Sequence, residues 1–322
     1  MPAVVSEDRK EIVFYRIGLD EAHTEMSSQR SVRQHYVSQG FLRGFAALDE
    51  VSHNLIWVYE KLPARKPRKA SIRSIAWEDS YYAQEYEDGS EDIDTVEKNF
   101  AQMVDQPATE LIRRLTPVSG QTIPFTDEEK GLLAFFIGIS LTRVPSFREP
   151  MLRFHSQIAQ MTLQQLAEKD AYVQEGMERW GVKATAKEWA TIRPMVLIGR
   201  QIGESVLQKH WQFSVPPAGM SLVTSDNPVL ISTGLRRNPF VGPAHPMAEL
   251  VMNLRSDLAF VCTPKDGYPS GMVLRQSSQD VKKFNRGIVR AARRFVFANF
   301  FSEIMDVFVK KYAGEEQTIR VD

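Results

Sequence analysis

The chain has 322 residues, enough for one large or two medium domains with a substantial buried core. Hydrophobic residues make up 43% and charged residues 25%, an ordinary soluble balance. Forty basic side chains offset forty acidic ones, which excludes a global field drawing the molecule onto nucleic acid or an anionic membrane. Cys262 is the only cysteine, so an intramolecular disulfide and a thiolate-rich zinc site are excluded. No uninterrupted apolar core of a signal peptide opens the chain, and the longest largely apolar stretch, 132–141, is about half what a spanning helix needs. A cytoplasmic protein with no membrane partner is expected.

Residues 11–17 favour a strand within an N-terminal extension, 1–30, that is expected to be mobile. The run 35–45 reads as a short amphipathic helix, with Val37, Phe41, Leu42 and Phe45 on one face. Residues 55–61 are a β-branched and aromatic strand. A basic block over 61–73 and an acidic block over 85–94 follow, read as solvated loops. A helical pattern covers 94–117 and is kinked or restarted by Pro107. Thr126 and Glu129 form a capping box before the apolar helix that ends at Pro145. Further helices are expected over 148–168 and 194–210.

Beyond Trp211 the pattern changes to short strands: 211–215, 221–224, 229–232, 250–253 and 259–263. Ser277 and Asp280 open another capped helix, and a strand over 295–297 and a last short helix close the chain. The fold class expected is α+β, a predominantly helical body (about 90–210) packed against a small, mostly antiparallel sheet. Strands from 55–60 and from 211–263 would share that sheet, making 31–322 a single integrated domain.

Two polar clusters carry the candidate chemistry. His35 has a near-neutral pKa suited to proton transfer, with Gln39 one helical turn away and Arg43 a turn further. The second cluster is Thr224-Ser225-Asp226-Asn227-Pro228, where hydroxyl, carboxylate and amide groups crowd at a strand end. Asx residues before proline also make simple turns. Arg143 closes the central helix, where it either complements the helix dipole or holds an anionic group bidentately. Glu97 and Asp105, about two turns apart, are a carboxylate pair that could hold a divalent ion, although exposed helical acids are commoner. Lys282, Arg286, Arg290 and Arg293 align into a basic helical stripe. His155, His210 and His245 have no partners at metal-ligand spacing, and no phosphate loop, dinucleotide glycine pattern, nucleophile elbow or zinc-binding helix is present.

The segment from Gln34 through His35, Tyr36, Val37 and Gln39 to Phe45 resembles the opening of a bacterial domain-of-unknown-function family, number four-two-three-eight. The strand at 55–61, the acidic helix around Glu97 and Asp105, the Arg143–Pro145 ending, the Ser225-Asp226-Asn227-Pro228 segment and the helix over 285–295 resemble that family in the same order. Ser38 and Gly40 depart from its usual proline and aromatic. The resemblance implies an intracellular bacterial setting and no established chemistry.

The function expected from these residues is an enzyme acting on nucleic acid or another phosphate-bearing substrate, a nuclease or phosphate-ester hydrolase of toxin-like or phage-defence type. His35 would be the general acid/base, with Gln39 and Asn227 orienting the substrate. Asp226 would orient His35 or help hold a divalent cation such as magnesium, while Arg143, Arg43 and Ser225 bind substrate. The alternatives are a non-enzymatic binding or sensor module for a protein or nucleic-acid partner, and a purely architectural role for both clusters.

Overall fold

The computed structural model describes residues 33–47, 54–63, 65–86, 88–232, 242–264 and 268–317, together with the paired strands β1 (Val4–Val5) and β2 (Ile12–Val13). The remainder of the expected N-terminal extension lies outside the described residues. The main fold opens at β3 (Arg33–His35), after which the Tyr36 and Val37 amides both donate to the Ala76 carbonyl. Helix α1 (Gln39–Leu42) starts only after that turn and passes into a 3₁₀ turn over Arg43–Phe45. His35 is therefore a strand residue and not the first residue of a helix. The apolar face expected there is nevertheless correct: Val37, Phe41, Leu42 and Phe45 are all buried.

Strands β4 (Leu55–Glu60) and β5 (Arg68–Ser71) pair antiparallel, and β6 (Trp77–Asp79) pairs with β3, setting His35 opposite Trp77. Within the acidic block, β7 (Gln84–Glu85) and β8 (Glu91–Asp92) make a small hairpin. One helical rod follows, made of α2 (Thr95–Asn99), a π-helical segment Phe100–Asp105, and α3 (Gln106–Arg114). Pro107 lies in the first turn of α3, where it has no amide hydrogen to donate and its ring crowds the carbonyl one turn back, which the wider turns before it accommodate.

Helix α4 (Asp127–Thr142) carries the capping box, with Thr126 and Glu129 bonded reciprocally at 3.2 and 3.0 Å. Helices α5 (Pro145–Ala167), α6 (Ala171–Trp180) and α7 (Ile192–Leu207) complete the helical body. Helix α4 meets α7 across three glycines. A Cβ on Gly138 would fall on the Gly199 carbonyl oxygen, and one on Gly203 would lie 3.1 Å from the Ala134 carbonyl oxygen. Thr142 seals the crossing by donating to the Met195 carbonyl at 2.8 Å.

The remaining elements are β9 (His210–Val215), β10 (Thr224–Ser225), β11 (Val229–Ser232), β12 (Glu249–Arg255), β13 (Leu258–Thr263), β14 (Met272–Arg275), α8 (Ser278–Ala291), β15 (Phe295–Ala298) and α9 (Glu303–Lys311). The fold is α+β, but its strands form two main sheets and not one. The four-stranded sheet has the order β10-β15-β4-β5, and the five-stranded sheet β11-β12-β13-β9-β14, with β14 parallel to β9. Thus β4 pairs with the C-terminal β15, and of the 211–263 strands β10 shares its sheet from the far side of β15, while β9, β11, β12 and β13 lie in the other. The chain switches sheets at Pro228, which has no amide hydrogen to continue the β10 ladder. Alternation along β4 sends Ile56 and Val58 into the main core, while Tyr59 packs with Val223, Ile288, Val289 and Val309 beneath α8 and α9.

Replacing Gly138 with alanine should force the α4–α7 crossing apart and destabilise the protein by about 3 kcal/mol. A thermal melt of Gly138→Ala that matches the parent would show that the two helices separate freely.

Candidate active site around His35

The His35 backbone is held from three sides. Gln34 is fully buried: its amide nitrogen donates to the Ile93 carbonyl and its oxygen accepts from the Tyr82 amide at 2.6 Å. The Tyr82 hydroxyl donates to the His35 carbonyl at 3.1 Å, and the His35 amide donates to Glu97 Oε1 at 3.4 Å. The half-buried ring presents Nδ1 to Gln39 Nε2 at 3.4 Å, while its own Nε2 is enclosed with no partner at hydrogen-bonding geometry among the described residues. Burial lowers the His35 pKa below its ordinary value. The charges of Arg143 and Arg73 act in the same direction, and the Arg73 carbonyl and Asp105 oppose them. The ring is thus neutral at pH 7. With the Gln39 amide donating to Nδ1, its hydrogen sits on Nε2.

Arg143 caps α4 and is only 1% exposed. Its Nη1 donates to both oxygens of Asp105 at 2.9 Å each, and its carbonyl accepts the Tyr81 hydroxyl at 2.8 Å. The guanidinium therefore reaches His35 as a fixed charge already committed to a carboxylate. Asp105 ends the π-helical segment and Glu97 precedes it. Turns closed by i→i+5 bonds hold more residues than α turns, which brings Glu97 and Asp105 closer to one face than an unbroken α-helix would. Arg73, whose charge reaches His35, is exposed, and so is Arg43. Arg43 lies one turn beyond Gln39, whose carbonyl its amide bonds.

The second cluster has a different task. Ser225 Oγ accepts from the Asn227 amide at 3.1 Å and donates to the Asn227 carbonyl at 2.8 Å, folding the segment into a tight turn. Buried Asp226 accepts three backbone amides: Arg293 at 2.9 Å on Oδ1, and Arg294 at 2.7 Å and Phe295 at 2.9 Å on Oδ2. Asn227 Nδ2 donates to the carbonyls of Ala291 and Gln317 at 3.2 and 3.0 Å. From the other side, fully buried Lys61 donates to the carbonyls of Val289 and Ala292, at 3.0 and 2.6 Å, and to that of Glu315. Burial pushes the Asp226 carboxyl up to about 6, against the three amides and Lys61, which favour the anion. Neither oxygen bonds His35. The side chain next to His35 that feels the Asp226 charge is Tyr36, whose hydroxyl is raised by burial first and then by Asp226 and Glu78.

The geometry thus groups His35 with Gln39, Arg143 and Asp105, and assigns Ser225, Asp226 and Asn227 to the junction between α8 and β15. Nothing local in the sequence marks Gln34, Tyr82 or Lys61 for these tasks, since their partners lie far along the chain. Among the described residues, no group of three or more His, Cys, Asp or Glu side chains is placed to hold a metal ion. In the basic stripe, Arg290 pairs with Glu315 at 2.5 Å and Arg293 with Glu149 at 2.6 Å, which leaves Lys282 and Arg286 as its exposed remainder. No single helix among the described residues is long and apolar enough to cross a membrane.

These features define an α+β protein with a neutral histidine set beside a buried arginine–carboxylate pair. The chain belongs to the family described as protein of unknown function (DUF4238), whose model matches residues 33–300. No curated protein and no solved structure matches the chain.

Substituting Asp226 with alanine leaves three buried backbone amides without their acceptor and removes a negative charge that favours the Lys61 ammonium. A loss of about 3–5 kcal/mol in urea unfolding is expected. An unchanged midpoint would mean that the α8–β15 junction does not need the carboxylate.

Proposed function

We propose that this protein is an enzyme acting on phosphate esters, with nucleic acid as the substrate class and His35 as the general base. The observation carrying this reading is the His35 ring itself: neutral by burial, fixed through its backbone, and loosely held at Nδ1 by Gln39 at 3.4 Å. A bond of that length yields to an incoming water or hydroxyl, whose proton Nδ1 accepts while Gln39 orients the oxygen. Arg43 and Arg73 supply exposed positive charge for the phosphoryl oxygens. Arg143, tied to Asp105, keeps the ring in its neutral form and acts on substrate only through His35. Glu97 and Asp105 are engaged by the His35 amide and by Arg143, and the assay below compares magnesium, manganese and chelator directly.

Purified protein incubated with labelled RNA and DNA, in magnesium, manganese or chelator, should cleave at least one of them. His35→Ala should abolish turnover while lowering the melting temperature little. The rate should fall as pH drops through a midpoint below 6.5, because protonation removes the base and the His35 pKa lies below its ordinary value. Turnover by His35→Ala equal to the parent, or none by the parent under every condition, would sink the proposal.

A further inference from the structure

We infer that the face made by Trp57, Phe301 and the edge strand β5 binds single-stranded nucleic acid. This rests on the substrate class proposed above but not on the His35 chemistry. Strand β5 is the outer strand of the four-stranded sheet, and Trp57 on β4 stands directly opposite its Lys69. The Lys69 ammonium lies 5.6 Å from the centre of the Trp57 ring. On the C-terminal side Phe301 meets Trp57 with ring centroids 4.9 Å apart and planes tilted by 40°. Phe301 remains 50% exposed, and Trp57 is half-buried. Arg65, Lys66, Arg68 and Arg73 are exposed along and beside the same edge.

Charged side chains on an edge strand guard it against pairing with other chains, which accounts for the basic residues. That does not account for an aromatic pair left partly in water beside them. Proteins that bind single strands combine these two features, rings on which bases stack and cations that track the backbone. Here the half-free Phe301 face takes a base, and Lys69 leaves the Trp57 ring for a phosphate. A second copy does not fit through this edge, because β5 against β5 would oppose basic residues. On the adjoining helix Asp306 is held by Lys310 at 2.6 Å, while Glu303 is exposed in the first turn.

The test is fluorescence anisotropy of a labelled single-stranded RNA of about 12 nucleotides in chelator, with the full chain. Phe301→Ala should weaken binding about tenfold and Phe301→Trp should restore it, as base stacking requires. Lys69→Gln should flatten the slope of log affinity against log salt by about 0.7. Binding that Phe301→Ala leaves unchanged would overturn the inference. So would displacement of the RNA by polyglutamate as effectively as by unlabelled RNA, which would mark the face as a site for acidic peptides. RNA bound in this way but never cleaved would count against the His35 chemistry alone. Cleavage with Phe301→Ala binding as tightly as the parent would count against this surface alone.

Discussion

The end of α8 is where the four-stranded sheet, the helical layer above it and the C-terminal tail meet, and two buried ions of opposite sign hold it. A buried helix end has carbonyls without partners, and the strand that follows begins with amides not yet in a ladder. Lys61 supplies donors to the carbonyls, and Asp226 supplies acceptors to the amides. Each ion is satisfied by backbone dipoles, so the charges stabilise the junction without a direct ion pair between them. The Lys61 amide also bonds the Arg294 carbonyl at 2.8 Å, and the Asp226 amide bonds the Phe295 carbonyl at 3.0 Å. The same two residues therefore set β4 and β10 on either side of β15.

His35 inherits its position from a second set of long-range contacts. The glycine crossing of α4 and α7 places the end of α4, and so Arg143, in the interior. Asp105 reaches that guanidinium from the π-helical segment, and Tyr81 and Tyr82 tie the β6–β7 connection to the Arg143 and His35 carbonyls. What results is a ring with a fixed backbone, a neutral charge state and one weakly engaged nitrogen. Rigid surroundings with a single yielding contact are what a proton-accepting group requires.

Features written in local chemistry are legible in the sequence. Both capping boxes, at Thr126 and Ser277, form as their spacing dictates, because a cap needs only residues three apart. The β-branched run of β4 and the apolar run of α4 are likewise plain. The sheet partners are not, since β15 meets β4 across most of the chain length and nothing within either strand names the other. The same holds for the polar clusters. Ser225-Asp226-Asn227-Pro228 looks alike whether it serves a substrate or a junction, and the deciding amides lie 67 to 69 residues away. Lys61 is hidden in a basic block whose other cations reach toward water. His35 and Gln39 pair as their spacing suggests, although the intervening backbone is a turn and not a helix.

The π-helical segment has a consequence for how such a chain can change length over generations. A π turn is an α-helix with a residue inserted, and losing one residue between Phe100 and Asp105 would restore the narrower winding. The tighter winding makes up for the missing residue, so α2 and α3 would keep their relative orientation. Asp105 would keep its face toward Arg143, and Glu97 its place beside the His35 amide. Length and winding in this stretch are therefore tied to each other: a residue lost with the π turns kept, or the π turns lost with every residue kept, would swing Asp105 from Arg143 and strand a guanidinium in the interior.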